Sequence, residues 1–209
     1  MDAPLIDILV PCKGFTRGKT RLADVLSPAA RAGLCRQMLT RTLTRLAPLP
    51  ARVAVITEDP DVAALALAHA AITLPCPGRG LNAALAQGAR LLAPQGAARP
   101  LMVLPADLAV FTTTDLAALI GAPAAILRPD RACDGTNLMI LPPALRHDFP
   151  FSYGPQSFAR HSALIRAKGV ALDGRPDPAF ATDIDTARDL AAWEGPVADF
   201  TRGRDHEAA

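Results

Sequence analysis

The stretch Leu5-Ile6-Asp7-Ile8-Leu9-Val10-Pro11-Cys12-Lys13-Gly14-Phe15-Thr16-Arg17-Gly18-Lys19-Thr20-Arg21-Leu22 decides the reading of this sequence. Leu5 to Val10 is a short apolar run rich in branched side chains, bounded by proline on both sides, and predicts a buried strand. It breaks directly into a loop carrying two glycines and four cations, Lys13, Arg17, Lys19 and Arg21, with no carboxylate among them. A strand followed by a basic, glycine-containing loop suits an α/β sheet whose strand ends face an anion, and the charge suits a triphosphate. Gly18-Lys19-Thr20 suggests a P-loop, but that motif needs a glycine five residues before its Gly-Lys pair, and position 13 is lysine, so the spacing fails.

Outward from this stretch, apolar runs alternate with helical patterns, which predicts a mostly parallel sheet flanked by helices. A long helix is expected from Ser27 as cap and Pro28 as first residue to about Leu46, with Leu34, Met38, Leu39, Leu43 and Leu46 on one face. Strands are expected at Val53–Thr57, Ile72–Leu74 and Leu101–Leu104. Helices are expected from the Asp59-Pro60 cap to His69 and over Leu81–Leu92. In the less regular second half, Thr112 and Asp115 have capping-box spacing ahead of a helix through Ile120. Ala124–Leu127 and Asn137–Leu141 read as strands on either side of an Asp134-Gly135 turn. A helix over Ser157–Lys168, a strand over Val170–Leu172 and a last helix from Thr186 to Trp193 complete the series. Residues 1–195 form one expected domain without internal repeat, and the charged, small residues 196–209 suggest a disordered tail. Ligands of open α/β sheets sit at the carboxyl ends of strands, so the loops after Val10, Thr57, Leu104 and Leu141 are expected to hold the chemistry.

Composition excludes several classes. The chain has 209 residues, half of them apolar, a formal charge of +2 and no basic run, and aromatic residues are only 4% of it. Neither the cationic stripe nor the stacking platforms of a nucleic-acid binder are present. Val62–Leu74 and Leu116–Leu127, the longest apolar stretches, fall short of the roughly 20 residues that span a bilayer. No cationic region leads into a long apolar stretch at the N-terminus, and Cys12, Cys35, Cys76 and Cys133 form no Cys-x-x-Cys pair. Reduced thiols, a cytoplasmic location and no zinc site are therefore expected. Only Lys13, Lys19 and Lys168 are lysines among 22 cations, and two of the three fall in the first loop.

Carboxylates supply the second half of a candidate site. Pro105-Ala106-Asp107-Leu108 follows the most apolar strand, where Asp107 could hold Mg²⁺ on a nucleotide phosphate or could cap the following turn. Asp183-Ile184-Asp185-Thr186 offers two more carboxylates one residue apart, with helix capping by Asp185 or Thr186 as the plainer reading. Arg79-Gly80-Leu81-Asn82 opens a helix, so its amides and Asn82 could meet a ribose, a base or a phosphate. Asp134-Gly135-Thr136-Asn137 and Tyr153-Gly154-Pro155-Gln156-Ser157, with Arg160 and His161, could form a smaller anion pocket.

The ordered set Val10-Pro11-Cys12-Lys13, Lys19-Thr20-Arg21-Leu22, Gly80-Leu81-Asn82, Leu104 to Leu108, Gly135-Thr136-Asn137, Tyr153 to His161 and Asp183 to Thr186 resembles a known family. That family is the guanylyltransferases that activate phospholactate, phosphoenolpyruvate or 3-phosphoglycerate in biosynthesis of the deazaflavin coenzyme F(420). The resemblance runs from Ile8 to about Trp193. It implies a single-domain Rossmann-like nucleotidyltransferase fold, like that of the molybdenum-cofactor guanylyltransferases, with a small β-rich insertion. It also implies that Lys13, Lys19 and Arg21 grip the GTP triphosphate, and that Pro11, Asn82, Pro105 and Ala106 lie near the nucleotide. Asp107 with Asp183 or Asp185 would hold Mg²⁺, and Thr136, Gly154, Ser157, Arg160 and His161 would receive the phospho-acid. Ala109 stands where the family commonly has proline, and Cys12 replaces a commoner apolar residue. The implied partners are small molecules, with neither nucleic acid nor membrane, and the oligomeric state stays open, a homodimer being one option. A nucleotidyltransferase for a pterin or sugar phosphate, or a catalytically silent nucleotide-binding protein, remain the alternatives.

Overall fold

A computed structural model describes residues 5–76, 78–93, 99–108, 110–191 and 193. The alternation of strand and helix closes into one sheet of seven strands: β1 (Ile6–Pro11), β2 (Ala51–Thr57), β3 (Ile72–Pro75), β4 (Leu101–Val103), β5 (Ala125–Pro129), β6 (Thr136–Leu141) and β7 (Leu172–Asp173), in the spatial order β3-β2-β1-β4-β6-β5-β7. All run parallel except β6, which pairs antiparallel to both β4 and β5. The helices are α1 (Pro28–Leu46), α2 (Pro60–Ala68), α3 (Leu81–Leu92), α4 (Thr113–Ala117), α5 (Pro143–Arg146), α6 (Ser157–Ala167) and α7 (Ala187–Ala191).

The caps act as the sequence leads one to expect. Ser27 accepts the Ala30 N–H at 3.2 Å with Pro28 in the first turn, and Asp59 accepts from Asp61 and Val62 ahead of α2. Thr112 and Asp115 form a reciprocal capping box. The side-chain alternation of β1 divides the core in two. Ile6, Ile8 and Val10 pack with Leu39, Leu43 and Leu46 of α1, Val62 of α2 and Leu116 of α4. Leu9 faces the other way, against Leu85 of α3 and Ile165 of α6. Gly88 of α3 lies so close to the sheet that a Cβ there would meet Leu9 Cδ2 at 2.7 Å, so the helix needs glycine to pack.

Two expectations are corrected. First, because β6 is reversed, its amino end, not its carboxyl end, lies at the ligand edge. Thr136 and Asn137 therefore stand at that edge, while the loop after Leu141 lies at the opposite one. There the short helix α5 carries Arg146 to Asp7, a fully buried carboxylate on β1 that also accepts from Arg52 at 2.8 Å and Arg99 at 3.2 Å. The cluster satisfies a buried charge and is structural. Second, β5 and β6 are joined by a six-residue loop and not by a two-residue Asp134-Gly135 turn. The Asp130 carboxylate closes it by accepting the N–H groups of Asp134 and Gly135, both at 3.0 Å, and Cys133 takes the left-handed conformation. In the loop after β1, Gly14 and Gly18 have negative φ and close neighbours: a Cβ would meet Asp59 Oδ2 at the first and Cys35 Sγ, at 2.6 Å, at the second. Side chains packed against both positions therefore call for residues without a Cβ. The expectations for residue 109 and for 196–209 lie outside the described residues.

Candidate active site

A cleft of about 660 Å³ opens along the carboxyl ends of β1, β2, β3 and β4. Pro11, Lys13, Lys19, Pro105, Ala106 and Asp107 line it, as the sequence leads one to expect, together with Asp185. Leu81 and Tyr153, from two of the candidate motifs, line it as well, as do Glu58 and Cys76, to which the sequence assigns no role at a site. No spacing rule brings them together; only the sheet order does.

The acidic end of the cleft follows from local chain geometry. Ile184 is fully buried among Leu22, Leu26 and Leu34, so its neighbours Asp183 and Asp185 project away from that cluster. The segment is tied to the loop after β4 by Ile184 N–H donating to the Asp107 carbonyl at 3.2 Å and by a bridge between Leu108 and Asp183. Oxygens of Asp107, Asp183 and Asp185 thus lie within 4.8 Å of one another. Burial first, then the Asp107 and Asp185 charges, raise the Asp183 carboxyl above its usual range.

Lys19 meets this cluster. It sits in the left-handed conformation at φ 53°, and its Nζ donates to Asp107 Oδ2 at 2.6 Å and to Asp185 Oδ1 at 2.8 Å. Burial alone would lower the Lys19 pKa, but the two carboxylates outweigh it and raise the value, so the ammonium stays charged. Arg21 is exposed and 3.6 Å from Asp185 Oδ2. Lys13 is exposed at the cleft and has no ion pair among the described residues. An all-oxygen donor set around a cation that the chain itself supplies fits a hard divalent ion such as Mg²⁺. Burial pushes the neighbouring Cys12 thiol up to about 12, with Cys35, Asp107 and Asp59 adding to the shift, so it is neutral and packs as a small apolar side chain.

Asn82 is engaged with Tyr153 through its side-chain amide. Its Oδ1 accepts the Tyr153 N–H at 2.7 Å and its Nδ2 donates to the Tyr153 carbonyl at 3.2 Å. The pair anchors the 153–157 loop to the start of α3. In that loop Gly154 has φ 126°, a conformation that favours glycine, and Ser157, buried, opens α6.

Of the two roles open to His161, contact with the acceptor or support of the loop, its surroundings suit support. Its ring has no exposure and both nitrogens are engaged: Nε2 accepts the Ser152 N–H at 2.9 Å and Nδ1 lies 3.0 Å from Thr136 Oγ1. Because a backbone N–H can only donate, Nε2 is the bare nitrogen and Nδ1 carries the proton. Thr136 Oγ1 therefore accepts from His161 and keeps its own proton free to donate. Burial, then the Arg160 charge, pull the His161 pKa down to about 4. Arg160 itself bonds the Pro155 carbonyl. Asn137 donates to the Phe180 carbonyl at 2.8 Å and is structural.

Among the described residues, no helix is long and apolar enough to cross a membrane. Residues 6–193 match the family described as guanylyl transferase CofC like. A phosphoenolpyruvate guanylyltransferase of Rubrobacter xylanophilus is 41% identical over 89% of this chain and 92% of its own. A 2-phospho-L-lactate guanylyltransferase of Methanothermobacter thermautotrophicus is 31% identical over 87% of this chain and 81% of its own. Among solved structures, a Methanothermobacter nucleotidyl transferase superposes with a TM-score of 0.65 at 15% identity, covering 95% of this chain and 98% of that one. At that identity the likeness is one of fold.

Proposed function

The chain belongs to the CofC-like guanylyl transferase family and is a nucleotidyltransferase, and we propose that it transfers GMP from GTP to phosphoenolpyruvate, releasing pyrophosphate. The observation that carries the reading is the convergence of Asp107, Asp183 and Asp185 at the end of a cleft whose floor is the basic loop after β1. Phosphoenolpyruvate is placed first among acceptors because relatives at 41% and 34% identity bear that name. 2-Phospholactate and 3-phosphoglycerate are the other acceptors to be tried.

Asp107, Asp183 and Asp185 would hold Mg²⁺. Bound there, the ion would offset phosphate charge and restrain the reacting oxygens. Lys13, Arg21 and Lys19 supply further positive charge along the triphosphate, with Lys19 exchanging carboxylate oxygens for phosphate oxygens. Pro11, Pro105 and Ala106 form the wall against which the nucleoside lies. Thr136, with its hydroxyl proton freed by His161, and the backbone around Gly154 and Ser157 receive the acceptor phosphate. A phosphate oxygen of the acceptor attacks the α-phosphorus of GTP; that P–O bond forms, the bond to the bridging oxygen of the β-phosphate breaks, and pyrophosphate leaves. The nucleophile is largely ionised at neutral pH because its second pKa is about 6, so no side-chain base is needed. Neither the neutral Cys12 thiol nor the enclosed His161 ring is asked to serve as one. Rate then comes from alignment and charge placement. We place the reaction in the cytoplasm and its product in coenzyme F(420) biosynthesis.

Pyrophosphate release tests this reading, measured with GTP, Mg²⁺ and each of the three acids. Release with GTP and phosphoenolpyruvate, and a product whose mass is the sum of GMP and the acid less water, support it. Release with CTP in place of GTP, or only with a sugar or pterin phosphate, would replace it.

A further inference from the structure

We infer that Glu58, paired with Arg17, reads the guanine base and is the residue that selects GTP over other nucleoside triphosphates; this rests on the guanylyl-transfer reading of the cleft. Glu58 is one of three glutamates in the chain and the first residue after β2. Its neighbours are occupied: Thr57 Oγ1 accepts the Asp59 N–H at 3.1 Å, and Asp59 caps α2. The Glu58 side chain is left to face the cleft.

Among the described residues three acidic side chains line the cleft, Glu58, Asp107 and Asp185. Asp107 and Asp185 are committed to Lys19 at the phosphate end. Glu58 stands apart from them on the wall formed with Cys76 and Gly78, where a Cβ on Gly78, at φ +66°, would lie 4.0 Å from Glu58 Oε2. Its ionic partner is Arg17, whose Nη1 is 2.5 Å from Glu58 Oε1, with the two side chains 71% and 46% exposed. An ion pair this open contributes little to stability, so its value to the protein lies in what it offers the cleft.

What it offers is a donor beside a two-oxygen acceptor. The Watson–Crick edge of guanine presents the complement in order: an acceptor at O6, then adjacent donors at N1–H and the 2-amino group. A carboxylate accepts both donors at once, and the neighbouring guanidinium donates to O6. Adenine and cytosine set an acceptor beside their single amino group, and uracil flanks one N–H with two carbonyls, so each leaves the carboxylate facing an acceptor. A site built to hydrogen-bond a polar group rejects the analogue that lacks it.

The test compares GTP with inosine triphosphate, which keeps O6 and N1–H and lacks the 2-amino group, in the native enzyme and in Glu58→Gln. The carboxamide turns an amino group toward the 2-amino donor of guanine but meets only a C–H in inosine. The native enzyme should prefer GTP by about 10-fold or more in kcat/KM, and Glu58→Gln should bring the ratio to about one by lowering GTP use while inosine triphosphate use stays within about threefold. The KM for the acceptor should not move, and Glu58→Ala should collapse the ratio too. Equal loss with both nucleotides, an unchanged ratio, or a native enzyme that does not distinguish them would overturn the inference. A native enzyme that uses CTP and not GTP would overturn the guanylyl reading beneath it.

Discussion

The ammonium of Lys19 lies 2.6 Å from Asp107 Oδ2, across 88 positions of sequence, with only 8% of the lysine side chain exposed. The same nitrogen reaches Asp185, so a cation already occupies the place where the acidic cluster converges. On the proposed reading, a metal ion bound by these carboxylates would compete with Lys19 for the same oxygens, and a triphosphate would draw the lysine away. Lys19→Met should bind Mn²⁺ more tightly than the native protein in the absence of nucleotide, by severalfold, as read by calorimetry or the spin-resonance signal of free Mn²⁺. It should at the same time lose roughly 100-fold in turnover, because the charge it brings to the phosphates is gone. Weaker Mn²⁺ binding in that variant would contradict the competition.

The other lysines of this lysine-poor chain should separate by position. Lys13 lines the cleft, whereas Lys168 is exposed at the end of α6, where a cation merely favours the helix dipole. Lys13→Ala should raise the KM for GTP about 10-fold through the loss of a charge-assisted phosphate contact. Lys168→Ala should leave it unchanged in the same steady-state assay.

Asn82→Ala removes the two hydrogen bonds that fasten Tyr153 to α3. The expected consequence is a KM for the acceptor raised roughly 10-fold by misplacement of the 153–157 loop. The KM for GTP should change much less. A KM for GTP raised more than that for the acceptor would place Asn82 at the nucleotide instead.

The His161 network gives a pH dependence with a definite sign. The folded protein holds the imidazole neutral down to about pH 4, whereas the unfolded chain protonates it near 6.5. As pH falls through that window the unfolded state binds the extra proton, so stability declines, by up to about 3 kcal/mol, and levels off below pH 4. Denaturant titrations between pH 7.5 and 4 should show this decline in the native protein and a smaller one in His161→Gln.

Much of this was legible locally. Ser27-Pro28, Asp59-Pro60 and Leu81–Leu92 carry their helix boundaries in nearest-neighbour chemistry, and the apolar runs mark strands whatever their partners. Strand direction has no such signature. Reversal of β6 comes from its pairing with Leu101–Val103, and it moved Thr136 to the ligand edge and the loop after Leu141 away from it. Likewise Arg128, fully buried on β5 and 2.9 Å from Asp173 on β7, and Asp7 amid three arginines are charges inside apolar-looking strands. Asp107, Asp183 and Asp185 are recognisable as acids near strand or helix ends, but the pairing of Lys19 with Asp107 and Asp185 is not, because those partners lie 88 and 166 positions away.

Arg128 supplies a check on the fold itself. Its guanidinium bonds the Asp173 carboxylate and carbonyl, and that hydrogen bond holds the Asp173 carboxyl below its usual range. Arg128→Ala should cost about 3 kcal/mol, because it empties a buried site and strands its partners, and calorimetry should show Tm falling by roughly 6–12 °C.

In the proposed reaction a bond forms between the acceptor phosphate and the α-phosphorus of GTP, beside Asp107. Phosphorus-31 spectra of GTP, phosphoenolpyruvate and Mg²⁺ with the native enzyme should show free pyrophosphate and an equal amount of an unsymmetrical diphosphate with two coupled doublets. Folded Asp107→Ala, verified by circular dichroism, should yield neither signal, at a rate reduced roughly 1000-fold. Full formation of the diphosphate by that variant, or phosphate in place of pyrophosphate from the native enzyme, would contradict the account.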